Sequence, residues 1–236
     1  MSCTPHVRQY SSNNLNSFTF LVSVSENNQA MIPTLANQVV ILDFETTGLS
    51  PDNGDRAIEI GAVKLVNGQI VDTFQELINP GRRVNSFIEQ YTGISNEMLK
   101  HAPASKQVMG QFAKFIAGFN LVAHNASFDK KFLDAEFSHN KLHYTGQFAC
   151  SLLLSRRISQ DAPNHKLGTL VDHHQLPNDG VFHRALADAT MTSYLWLYQI
   201  DVLQQQLPKQ AITIDIINKI SSLPKAQIAR YLRTMS

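Results

Sequence analysis

Two cysteines, Cys3 and Cys150, among 236 residues are too few for a disulfide framework and point to a reducing, cytoplasmic compartment. No apolar run approaches the roughly 20 residues that cross a bilayer. Residues 18–24 form a short apolar stretch with only Arg8 as a basic flank and no small-residue cleavage site, so neither a membrane span nor a signal peptide is expected. Net charge is low as well, at +1. A surface coated for polyanions is thereby excluded, although a local groove is not. There is no pair of Cys-x-x-Cys units to build a structural zinc site. Glycine-rich phosphate loops are missing too, so no nucleotide cofactor is expected.

What is present is a run of acids in an unusual place. Asp43-Phe44-Glu45-Thr46-Thr47-Gly48 follows Val39-Val40-Ile41-Leu42, which reads as a buried strand. Alternate residues of a strand face opposite ways, so Val39, Ile41, Asp43 and Glu45 share one face and Val40, Leu42 and Phe44 the other. Two carboxylates side by side at the end of a core strand repel each other, and burial aggravates the repulsion. A shared proton, a basic partner or a divalent cation must relieve it, and no Lys or Arg follows in sequence before Arg56.

The chain divides by composition into three parts. Residues 1–35 are rich in Ser and Asn, lack periodicity and read as a poorly ordered extension; Met31 is an alternative start to Met1. Residues 36–203 carry the core. Residues 58–66 and 70–78 read as strands joined at Asn67-Gly68, the strongest short signal of a tight hairpin. Val108, Phe112, Phe115, Ile116 and Phe119 then follow helical spacing, residues 121–123 a short strand, and residues 128–137 a helix with Asn125 or Ser127 as its cap. A strand-to-helix passage at 147–155, a short helix at 167–174 and a long one at 184–200 follow. A meander of three strands and then alternating helices and strands imply an α/β fold, a mixed sheet flanked by helices. Residues 204–236 form a basic helical appendage, with five basic residues against Asp215. It reads as a solvated segment, a docking segment or a contact for nucleic acid.

Three further residues stand out. Asp129 lies in a first helical turn, where the macrodipole favours an acid, yet three and four residues before Phe132 and Leu133 and so toward the sheet. Asp188 shares a stripe with Ala185 and Leu195, which puts a carboxylate on a core-facing surface. His183, five residues earlier, falls in the loop before that helix, where an imidazole suits the role of general base.

Asp43-x-Glu45 with Thr46-Thr47-Gly48, His124-Asn125-x-x-Phe128-Asp129 and His183-x4-Asp188 together resemble the DEDDh exonucleases. This is the DnaQ-like group, whose type member is the epsilon proofreading subunit of bacterial DNA polymerase III. Gly61, Tyr91-Thr92-Gly93-Ile94 and Lys166-Leu167-Gly168-Thr169-Leu170 resemble further landmarks of that group. The resemblance implies a ribonuclease H-like fold with a five-stranded mixed sheet. It implies two divalent cations, Mg²⁺ or Mn²⁺, held by Asp43, Glu45, Asp129 and Asp188, with His183 as general base. Thr46, Thr47, Gly48 and Leu49, with His124, Asn125 and Phe128, would bind the terminal nucleotide. The implied reaction removes nucleoside 5′-monophosphates from the 3′ end of single-stranded or frayed nucleic acid. DNA is favoured over RNA as substrate, and a DNA polymerase subunit is the partner such a chain would serve.

Overall fold

In a computed structural model, residues 34–178, 180 and 183–235 are described. Val39–Thr46 is the first strand, β1, and every aliphatic residue in it is fully buried. β2 (Ala57–Val66) and β3 (Gln69–Leu77) follow as an antiparallel ribbon. Asn67 and Gly68 turn it with φ of 53° and 74°, the paired positive values that a tight hairpin turn requires. After two short helices, α1 (Ser86–Thr92) and α2 (Asn96–His101), the chain alternates. It runs through α3 (Ser105–Ile116), β4 (Asn120–Ala123), α4 (Ala126–His139), β5 (Phe148–Cys150) and α5 (Ser151–Ile158). α6 (Leu167–His173), α7 (Ala185–Gln206), α8 (Ile214–Ser222) and α9 (Lys225–Met235) complete it. The sheet order is β3-β2-β1-β4-β5, with β4 and β5 parallel to β1.

The alternation along β1 sorts the core into two layers. Val39 and Ile41 pack with Trp196 and Leu203 of α7 on one face, and Val40, Leu42 and Phe44 with Phe112 of α3 and Phe132 of α4 on the other. Phe119 joins the second layer from beyond α3, because Gly118 at φ 79° turns the chain out of the helix first. α1 and α2 have no long apolar stripe to announce them. Asn85 and Ser95 start them by accepting hydrogen bonds from Ile88 N and Met98 N.

Both ends of the expected core make contacts beyond it. Thr34 and Leu35 are already tied down: Leu35 bridges to Thr213, and the Thr34 carbonyl accepts from Ile214 N. Residues 1–33, with Cys3 and Met31, lie outside the described residues. At the other end, residues 204–206 are the last turn of α7, not the start of an appendage. Ile214, Ile217, Ile220, Ile228 and Leu232 are buried in the same layer as Trp196. Each such side chain contributes about 1.5–3 kcal/mol by leaving water, so α8 and α9 are bound to the body by their apolar faces. Lys219, Lys225 and Arg230 lie between those positions. No helix among the described residues is long and apolar enough to cross a membrane.

A buried ion pair clamps α4 to the sheet. Glu136, 2% exposed, accepts from Arg56 Nε at 2.8 Å and Nη2 at 2.9 Å, from Ser105 Oγ at 2.6 Å and from Ala57 N at 3.3 Å. Burial pushes this carboxyl up, but the hydrogen bonds from Arg56 and Ser105 outweigh it and hold it below the usual range. The clamp is therefore at full strength above the ordinary glutamate pKa and is lost as pH falls through the lowered value. Glu136→Gln strands Arg56, and urea unfolding at neutral pH should show a loss of about 3 kcal/mol. The gap from wild type should close in acid.

Candidate active site

The site forms where β1 ends and α7 begins. In β2, Gly61 stands opposite Asp43 and Glu59 opposite Glu45. Gly61 is where α7 lands: a Cβ there would lie 2.1 Å from Leu186 N and 2.2 Å from the carbonyl carbon of Ala185. Because nothing projects at that point, the first turn of α7 rests directly on the sheet, and that turn carries Asp188. Asp43, Glu45 and Asp188 each bring one carboxylate oxygen into a group whose members all lie within 4.8 Å of one another. Asp129, 2% exposed, arrives from the first turn of α4 and accepts from Phe44 N at 3.2 Å, which fastens it to β1 between the two strand acids.

Crowding marks these groups electrostatically. Asp43 is raised well above the ordinary aspartate value by burial, then by Asp129, Asp188 and Glu45. Burial, Asp188 and Glu59 push Glu45 up to about 8, with Arg184 opposing. Burial raises Asp129 to about 7 against the hydrogen bonds it receives from Phe44 N and its own N–H. Among the described residues no Lys or Arg forms an ion pair with Asp43 or Glu45. Such a tight set of hard oxygen donors fits a divalent cation of the magnesium or calcium type in donor chemistry.

Glu59 is a fifth acid in this region. It is fully buried and accepts from Arg184 Nη2 at 2.7 Å, Arg184 Nε at 3.1 Å and Ala185 N at 3.0 Å. The carboxylate thus caps the start of α7 and occupies the nearest guanidinium, so that Arg184 is committed to Glu59. Neither residue stands out in the sequence. Glu59 looks like any polar position of an alternating strand, and its role depends on a helix that begins 126 residues later.

His183 stands before α7 with φ 61°, and its N–H donates to Asp188 Oδ2 at 3.0 Å. Its ring meets that of Tyr91 at 4.0 Å between centroids. A cleft of about 560 Å³ is bordered by Asp43, Asp188, His183, Tyr91, His124 and Lys166. Tyr91 and Lys166 belong to stretches already noted as landmarks, and only the folded cleft gives them a place beside the acids. Burial, then Glu45, Asp188 and Asp43, raise the Tyr91 phenol and keep it protonated.

The remaining sequence candidates divide. In the turn after β1, Thr46 Oγ1 donates to Gly48 O at 2.6 Å, and Thr47 Oγ1 accepts from Arg56 N at 3.0 Å and Arg82 Nη2 at 2.7 Å. Asp55 holds this turn through Arg82 and Ser50 N, and its carboxylate fills the space a side chain at Gly48 would need. Both hydroxyls are thus engaged by protein groups. Leu49 projects from it, 83% exposed. His124 borders the cleft and is tied to two other segments. Its Nε2 lies 2.9 Å from His165 O and its Nδ1 2.8 Å from Ser151 Oγ, and burial lowers it to about 4, so the ring is neutral with both nitrogens occupied. Asn125 occupies the cap position of α4 at φ 73° but makes no side-chain cap bond, and Phe128 packs on Phe132 at 5.0 Å.

A five-stranded mixed sheet with helices on both faces and a four-acid cluster at the end of its central strand define the class: a ribonuclease H-like nuclease. Residues 40–196 match the model of the exonuclease family RNase_T, and the chain belongs to that family. A PolC-type DNA polymerase III of Caldanaerobacter subterraneus is 38% identical over 197 residues, which is 80% of this chain and 13% of that protein. The 3′-5′ exonuclease DinG of Bacillus subtilis is 38% identical over 172 residues, 70% of this chain and 18% of that protein. The chain therefore spans less than a fifth of the length of these relatives. Among solved structures, exonuclease X in complex with 5′ overhanging duplex DNA superposes with a TM-score of 0.60 at 25% identity, covering 78% of this chain and 99% of that one. The nuclease domain of 3′hExo, a DEDDh family member bound to rAMP, gives 0.60 at 22% identity over 70% and 92%, and shows the shared fold. The resemblance carried by the three motifs is borne out at the level of family, fold and enzyme class.

Proposed function

We propose that this chain is a 3′–5′ exonuclease that removes nucleoside 5′-monophosphates from single-stranded or frayed DNA ends with the help of two divalent cations, Mg²⁺ or Mn²⁺. The observation that carries the reading is the convergence of Asp43, Glu45 and Asp188 within 4.8 Å, with Asp129 fastened behind them. These four acids would hold the cations, which supply Lewis-acid activation of water and neutralise charge at the phosphate. His183 takes the proton from the attacking water as the bond from phosphorus to the 3′ oxygen breaks. Glu59 and Arg184 hold the first turn of α7 so that Asp188 and His183 meet the strand acids. The backbone of Thr46, Thr47 and Gly48, with Leu49 and Tyr91, flanks the terminal nucleotide, and Lys166 faces its phosphate across the cleft.

DNA is favoured because three relatives at 37–39% identity are named as DNA polymerases of the PolC type. The same similarity supports service to a polymerase and a place in the bacterial cytoplasm. On this reading the nuclease domain runs through α9, because α8 and α9 complete the apolar layer under α7. Chromatography of the products tests the reaction: nucleoside 5′-monophosphates support it, and 3′-monophosphates would overturn it.

A further inference from the structure

We infer that Phe87 is a stacking platform for a nucleobase of the substrate strand upstream of the 3′ end held in the cleft. The inference rests on the exonuclease reading above. Phe87 and Tyr91 stand four residues apart on α1 and so share one side of it. Their rings lie 5.7 Å apart between centroids at an interplanar angle of 14°. Tyr91 in turn meets His183 at 4.0 Å. The three rings make a ladder that starts beside the acids and leads out of the cleft along α1.

Exposure rises along the ladder, from 50% at Tyr91 to 67% at Phe87. Phe87 is not needed to seat the helix, since Ile88 packs on the small layer of Ile58, Val84, Ile94 and Leu99. An exposed flat ring that prolongs a stacked row is suited to another flat ring. The strand leaving the cleft carries one on every nucleotide. Stacking of this kind tolerates any sequence, because each base offers a π face, and removing one aromatic from such a contact weakens binding about 5- to 150-fold.

The test compares a short single-stranded oligonucleotide with a dinucleotide, using the full chain with its metal. Phe87→Ala is expected to lower the ratio of kcat/KM for the longer substrate over the dinucleotide about tenfold, through KM. Phe87→Trp should restore the ratio, and its exposed indole should be quenched as the oligonucleotide binds. A ratio unchanged in Phe87→Ala overturns the inference, as does an equal loss on both substrates, which would mark a structural role. A change in self-association without a change in the ratio would assign Phe87 to a protein contact and overturn it as well. Failure of the wild-type chain to hydrolyse either substrate would instead bring down the exonuclease reading, and the inference with it.

Discussion

Replacing Asp43 or Asp188 by alanine is expected to lower metal-dependent nucleotide release by at least about a thousandfold, since metal catalysis supplies several kcal/mol and each 1.4 kcal/mol is a factor of ten. The two residues come from different elements, the central strand and the first turn of α7, and their oxygens lie in one group with Glu45. Loss of either removes a donor that Glu59, the next acid on β2, does not replace, because Glu59 is committed to Arg184 and Ala185. The fold should survive. Asp43 lies among Asp129, Asp188 and Glu45, all of which disfavour its charge. Removing it relieves repulsion, so in chelator the Asp43→Ala protein should melt no lower than wild type. Rates and thermal melts on the same preparations check both halves. Digestion at the wild-type rate by either variant would remove the acids from the mechanism.

His183→Ala is expected to slow turnover by about a hundredfold or more, the scale of a lost general base. The residue is held at φ 61°, a backbone conformation that non-glycine side chains rarely adopt, and its N–H is engaged by Asp188. Its ring is left to face Tyr91 at the cleft rather than the core. The acids are untouched by the substitution, so metal affinity should change little while kcat falls. Titration of activity with metal separates the two quantities. A kcat unchanged across the neutral pH range would release His183 from the role of base.

The features visible in the sequence were those set by local periodicity. The face split of β1 follows from strand alternation, the turn at Asn67 and Gly68 from its residue types, and the inward aim of Asp129 and Asp188 from their neighbours at three and four residues. Features set by partners far along the chain stayed hidden. Glu59 acquires its meaning only when Arg184 and the start of α7 reach it, and Gly61 only when Leu186 lies against it. The bonds of His124 to Ser151 and His165 likewise cross 27 and 41 residues. Residues 204–236 read as a basic appendage with a solvated, docking or nucleic-acid role, and the burial of Ile214, Ile217, Ile220, Ile228 and Leu232 against the body depends on partners far along the chain.

The central claim, a cation-dependent attack at the 3′ end, is tested most directly by digesting matched DNA and RNA strands labelled at either end, with Mg²⁺ or Mn²⁺ and with chelator. A 3′ label should be released at once as a mononucleotide, a 5′-labelled strand should shorten step by step, DNA should be consumed faster than RNA, and chelator should stop every reaction. Early release of the 5′ label, or equal digestion in chelator, would contradict the account.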